Sequence, residues 1–122
     1  MSNQYKGRTG VDRIVHATVN SVSGLRQAFV GESAFRQEVW LAAVLLPASV
    51  WLGRSWEQVA LLAGAVVLVL IVELLNSAVE AAVDRISLEN HQFAKRAKDI
   101  GSAAVMLALV NVAIVWALVL LG

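Results

Sequence analysis

After Asp99 the chain carries no charged residue to its last position: Ile100 to Gly122 is an uncharged run of 23 residues dominated by Val, Leu and Ala. A helix that crosses the hydrocarbon core of a bilayer needs about 20 mostly apolar residues, at about 1.5 Å each over about 30 Å. This run meets that requirement alone. Two further uncharged stretches, Val39–Gly53 and Gln58–Val72, have 15 residues each. They reach spanning length only by drawing in their flanks, Ala34–Gly53 and roughly Val59–Ala78, and both extensions bring a carboxylate toward the membrane. The balance of residues agrees, with 58% apolar and 16% charged, against about 45–50% and about 25% in an average soluble domain. Two buried core helices beside a single span are the alternative, but 122 residues leave too few others to cover such a core in water. The expected fold is all-α and integral to the membrane, with three spans at about 34–53, 58–84 and 99–121.

The first 33 residues differ in character. Val11, Ile14, Val15, Thr18, Val22 and Leu25 recur at helical spacing, while Asp12, Arg13, His16, Asn20, Ser23, Arg26 and Gln27 fill the rest. That pattern predicts an amphipathic helix lying on a bilayer surface. Residues 1–33 are therefore read as tail and surface helix and 34–122 as a three-helix transmembrane unit, in one domain overall. No apolar stretch suited to a signal peptide follows the early positive charges. Five Lys and Arg residues up to Arg36 and four in the Arg85–Lys98 connection, against one in Arg54–Glu57, place the amino terminus and the second connection in the cytoplasm and the carboxyl terminus outside. Trp51, Trp56, Trp116 and Trp40 are read as interfacial anchors. A net charge of +1 gives no basic excess for nucleic acid, and the absence of cysteine removes disulfides and thiolate chemistry.

Counting at about 1.5 Å per residue from the outer loop brings Glu32, Glu80, Lys98 and Asp99 to one depth at the inner boundary, with Glu73 about one turn deeper in the membrane and Glu38 deeper on the first span. Ionisable groups inside a span are costly and mark functional sites. Glu73, Asn76, Glu80 and Asp84 are spaced three, four and four apart, so they share one helix face. Carboxylates from different helices suit Mg²⁺, which prefers oxygen ligands. Lys98 beside them suits a phosphate, and a carboxylate in the drier layer suits a general base toward a lipid hydroxyl. Together they read as phosphoryl transfer at a membrane surface. No phosphate-binding glycine loop, kinase catalytic loop or HExxH pattern occurs.

The segments ELLNSAVEAAVDR (Glu73–Arg85), AKDIGSAAV (Ala97–Val105) and GLRQAFVGESAFRQE (Gly24–Glu38) resemble the bacterial diacylglycerol kinase family, and the likeness runs from Arg13 onward. The resemblance implies a homotrimer of small subunits, each with a surface helix and three spans, in the bacterial inner membrane. It implies transfer of the ATP γ-phosphate to diacylglycerol drawn from the inner leaflet, giving phosphatidic acid. By motif position Glu73 is the general base, and Glu32 and Glu80 are the Mg²⁺ ligands. The nucleotide contacts implied are Arg13, Asn20, Glu32, Glu80, Glu89, Asn90, His91, Lys98 and Asp99. The lipid pocket takes Arg13, Arg26, Glu38, Glu73 and Ser102, with Asn76 and Asp84 in support.

Other readings stand beside these. Glu32 and Arg36 have the spacing of an i,i+4 helix pair, Asp84 that of a structural partner for Arg85 or Lys98, and Pro47 that of a kink in the first span. Within the family the alternative lipid alcohol is undecaprenol, the substrate of a second branch, although the GESAFRQE stretch resembles the diacylglycerol branch more. A small proton-coupled transporter with Glu73 as carrier is the reading from another class, although a transporter wants its carboxylate near the bilayer centre.

Overall fold

The computed structural model describes residues 9–86 and 91–122. They form four helices, α1 (Gly10–Gly31), α2 (Ser33–Leu52), α3 (Trp56–Ile86) and α4 (His91–Leu121). α3 is the central element; it packs most extensively on α4 and next on α2, and α1 rests against α2 and α3.

The buried positions explain this arrangement. On α2 they are Phe35, Ala42 and Ser49, one every seven residues, which makes a single seam. On α3 they are Leu62, Ala65, Val66, Val69 and Glu73. Leu62, Val66, Val69 and Glu73 follow the four-three-four spacing of a packed helix stripe. Glu73 thus stands where the repeat calls for an apolar side chain. α1 buries only Ala28, and its apolar positions Val11, Ile14, Val15, Val19, Val22 and Leu25 remain exposed, a face that no other described residues cover.

Two helices are long and apolar enough to cross a membrane, Trp56–Arg85 and Gln92–Leu121. α2 has 20 residues but is not among them, because Arg36, Gln37 and Glu38 dilute its apolar run. α4 begins eight residues before the span foreseen from Asp99, so the charged group Lys95, Arg96, Lys98 and Asp99 is already helical before the uncharged run.

The chain breaks between α1 and α2 at one residue. Glu32 takes φ −120° and ψ 110°, its N–H donates to Ala28 O at 2.9 Å, and it accepts from Arg36 N at 3.1 Å. Arg36 turns back to donate to the carbonyls of Phe29 and Val30 at 2.8 and 3.0 Å, capping the last turn of α1. Phe29 meets Trp40 edge to face with ring centroids 6.1 Å apart. Pro47 lies inside α2, and two residues on Ser49, fully buried, donates to Leu46 O at 2.6 Å.

At the other end of the seam Trp116 Nε1 donates to Leu62 O across α3 and α4 at 3.0 Å, a tie beyond the anchoring expected of it. Trp51 and Trp56 stay largely exposed. Arg54, in the turn between α2 and α3, donates to Val119 O at 2.8 Å and Gly122 O at 3.3 Å and so caps α4, while its own N–H donates to Gln58 Oε1 at 2.8 Å.

Candidate active site

Three elements deliver carboxylates to one place. The extended backbone of Glu32 makes no side-chain cap bond to either helix, so its carboxylate reaches across to α3, where Ser77 Oγ donates to Glu32 Oε1 at 3.1 Å. This replaces the Glu32–Arg36 pair that spacing allowed, because Arg36 is engaged by the end of α1. From α2, the Glu38 carboxyl lies within electrostatic reach of Glu73 on α3. Glu73 is only 7% exposed, and its carboxyl also lies within electrostatic reach of Glu80 and Glu32. The four acids Glu32, Glu38, Glu73 and Glu80 therefore form one group around α3, with Glu73 the most deeply buried of them.

A groove of about 680 Å³ opens between α1 and α3 beside this group, bordered by Ser21, Gln27, Ala28, Glu32, Ser77 and Ala81 among others. Its size falls in the range of small-molecule sites. Two buried oxygens near the acids have no hydrogen-bond partner among the described residues, Glu38 Oε2 and Asn76 Oδ1. Buried polar atoms are normally paired, and exceptions concentrate at functional sites.

The basic side of the site comes from the start of α4. Lys98 Nζ lies 2.6 Å from Asp84 Oδ1, which joins α4 to the last turns of α3. Of the two structural partners that spacing offered Asp84, the structure selects Lys98. Asp99 is turned to Lys95 instead, at 2.6 Å along α4.

The remaining candidates are less gathered. Arg26 on α1 and Ser102 on α4 are exposed and make no hydrogen bond or ion pair with the acids among the described residues. Arg13 and Asn20 lie exposed on α1. Glu89 and Asn90 lie outside the described residues, and of His91 only the backbone, in the first turn of α4, is described. Ser77 is the residue that sequence reasoning passed over. It stands four residues after Glu73 and three before Glu80 on the same face, and that spacing was the available signal.

Mg²⁺ takes one or two protein carboxylates and completes its shell with waters and phosphate oxygens. No group of three or more metal-ligating side chains forms among the described residues. The hard oxygen donors of Glu32 and Glu80, gathered about Glu73 from the α1–α2 joint and from α3, fit an ion that arrives with a nucleotide.

An all-helical membrane protein with acids from several helices packed around a buried carboxylate, and a lysine beside them, is the class that this geometry defines. A sequence model of the family "Prokaryotic diacylglycerol kinase" matches residues 19–120. The chain is 52% identical over 118 residues to a diacylglycerol kinase of Pseudomonas aeruginosa, covering 97% of this chain and 96% of that one. It is 47% identical over 108 residues to that of Haemophilus influenzae (88% and 92%) and 46% identical over 112 residues to that of Escherichia coli K12 (92% of each). The chain belongs to the prokaryotic diacylglycerol kinase family and is, as such, a membrane enzyme that phosphorylates a lipid.

Proposed function

We propose that the chain transfers the γ-phosphate of MgATP to the primary hydroxyl of diacylglycerol at the cytoplasmic face of the inner membrane, with Glu73 as general base. The single observation that carries this reading is the placement of Glu73: a carboxyl 7% exposed, on the packing face of an apolar helix, with Glu32 and Glu80 near it. Apolar side chains at Leu62, Val66 and Val69 hold the same stripe, so packing alone gives no reason for an acid there.

Diacylglycerol enters laterally with its acyl chains in lipid and its hydroxyl at Glu73. Glu38, Arg26 and Ser102 border the lipid, and Arg13 stands near both substrates. Glu32 and Glu80 would hold the Mg²⁺ that accompanies ATP, and that ion would supply charge neutralisation on the triphosphate. Lys98 exchanges Asp84 for a phosphate, and Asn20, Glu89, Asn90, His91 and Asp99 complete the nucleotide side. The hydroxyl oxygen bonds to the γ-phosphorus as the bond to the bridging oxygen breaks; the hydroxyl proton passes to Glu73 Oε, and ADP leaves with the bridging oxygen's electron pair. Asn76 organises the α3 face between base and metal ligands. Positioning and electrostatics supply most of the rate, as in phosphoryl transfer generally.

The amino terminus and the α3–α4 connection lie in the cytoplasm, supported by the excess of Lys and Arg there. α2 is the first of the three spans, since its 20 residues give about 30 Å of helix. The tail and surface helix (1–33) and the membrane unit (34–122) are one functional domain, and a homotrimer completes the site, supported by the wide apolar surface that one subunit leaves uncovered.

Transfer of labelled phosphate from ATP in detergent micelles tests the reading. Product with diacylglycerol as sole acceptor supports it; product only with undecaprenol moves the chain to the other branch. A Glu73→Gln enzyme that keeps its rate removes the base.

A further inference from the structure

α3 and α4 do not simply lie side by side where the acids gather. A groove of about 410 Å³ runs between them, walled by Val72, Leu75, Asn76 and Val79 on α3 and by Ala97, Gly101 and Ala104 on α4. A Cβ built on Gly101 runs directly into Asn76 Oδ1. The same Oδ1 is buried without an N–H or O–H partner among the described residues. The amide of Asn76 therefore ends against the backbone of α4 at a position that only glycine leaves open. A carbonyl oxygen set against a Cα–H makes a weak hydrogen bond of the kind that recurs at close helix contacts.

We infer that Gly101 is a positioning residue: its missing side chain seats the Asn76 amide against α4 and so sets the register of α3 against α4 at the level of the acids. Asn76 stands three residues after Glu73 and four before Glu80, so what fixes it fixes the helix segment between them. On α4, Lys98 stands three residues before Gly101 and pairs with Asp84 of α3. The seam thus places the acids of one helix relative to the lysine of the other. Gly101 touches neither substrate in this account. Its role rests on the assignment of Glu73 and Glu80 proposed above, but the contact itself does not.

The test is Gly101→Ala. Alanine is the stronger helix former, so a loss cannot come from weakening α4. Two readouts are taken in detergent micelles: the side-chain amide signal of Asn76 in a ¹⁵N-labelled sample, identified by its disappearance in Asn76→Ala, and steady-state kinetics. The expected result is a displaced Asn76 signal and a kcat lower by about tenfold or more, as small misplacements near reacting groups produce, with KM for MgATP changed by less than about threefold. In an Asn76→Ala background the same substitution costs at most about twofold further, since the amide it displaces is gone. An unmoved amide signal overturns the contact. A moved signal with kcat within about twofold of the parent, or an equal loss in both backgrounds, overturns the positioning role. A fully active Glu73→Gln enzyme would sink the base assignment while leaving the Asn76–Gly101 coupling as measured, so the two failures are distinguishable.

Discussion

The two ends of the α3–α4 seam are built on opposite terms. Around Leu62 and Trp116 polar groups find partners within the chain: the indole N–H meets the Leu62 carbonyl, Arg54 caps the last turn of α4, and Gln58 receives the Arg54 N–H. Around Asn76 and Gly101 the same two helices enclose an apolar groove and an Asn76 oxygen that no donor reaches among the described residues, and toward α2 lie the buried Glu73 and an equally unpartnered oxygen of Glu38. Both ends lie on one continuous helix face, from Leu62 through Val66, Val69 and Glu73 to Asn76 and Glu80. One half of that face is spent on holding the helices together. The other half leaves polar groups underserved, which costs stability and suits a site that must accept charged ligands.

Substitutions at the two ends should therefore separate activity from stability. The largest effect is expected at Glu73: Glu73→Gln keeps size and polarity but not the proton acceptor, and kcat should fall by about 10²–10⁴ while unfolding followed by tryptophan fluorescence is nearly unchanged. Next, Lys98→Ala should raise KM for MgATP by about tenfold, the usual weight of a charge-assisted hydrogen bond to phosphate. Lys95→Ala, which breaks an exposed pair along one helix, should leave it within about twofold. Equal effects of the two lysines would erase the distinction between a ligand-facing and a merely solvated charge. At the opposite end, Trp116→Phe should lower stability by about 1 kcal/mol through the lost interhelical hydrogen bond with kcat unchanged, read as a shorter half-life of activity on warming in detergent. The smallest effect belongs to Arg54→Gln, about 0.3–1 kcal/mol from an exposed cap on the α4 terminus, by the same measurement. If Trp116→Phe lowered kcat as strongly as Gly101→Ala, the division of labour along the seam would be wrong.

Much of this division was legible in the residues. The uncharged run from Ile100, the amphipathic spacing of Val11 to Leu25 and the three-four-four spacing of Glu73, Asn76, Glu80 and Asp84 follow from helical periodicity and from the cost of charge in lipid, and each lies in a helix of the structure. Gathering is less legible, because it depends on rotation and register between helices. The spacing of Glu32 and Arg36 allowed an ion pair, but Arg36 goes to the carbonyls at the end of α1 and Glu32 goes to Ser77. Counting put Asp99 beside Lys98 at one depth; the helix turns Asp99 to Lys95 and gives Lys98 to Asp84. Trp116 read as an anchor and serves also as an interhelical donor.

Residue order alone determined that this chain makes helices, that its longest apolar runs suit lipid, and that its carboxylates fall at particular levels along them, since rise and periodicity per residue are fixed by backbone geometry. Only the packed helices decided which carboxylate is buried, which lysine has which partner, and that a glycine on α4 receives an amide from α3. Those outcomes depend on how side chains interdigitate between elements distant in sequence, where a shift of a single side-chain volume changes every contact along the seam.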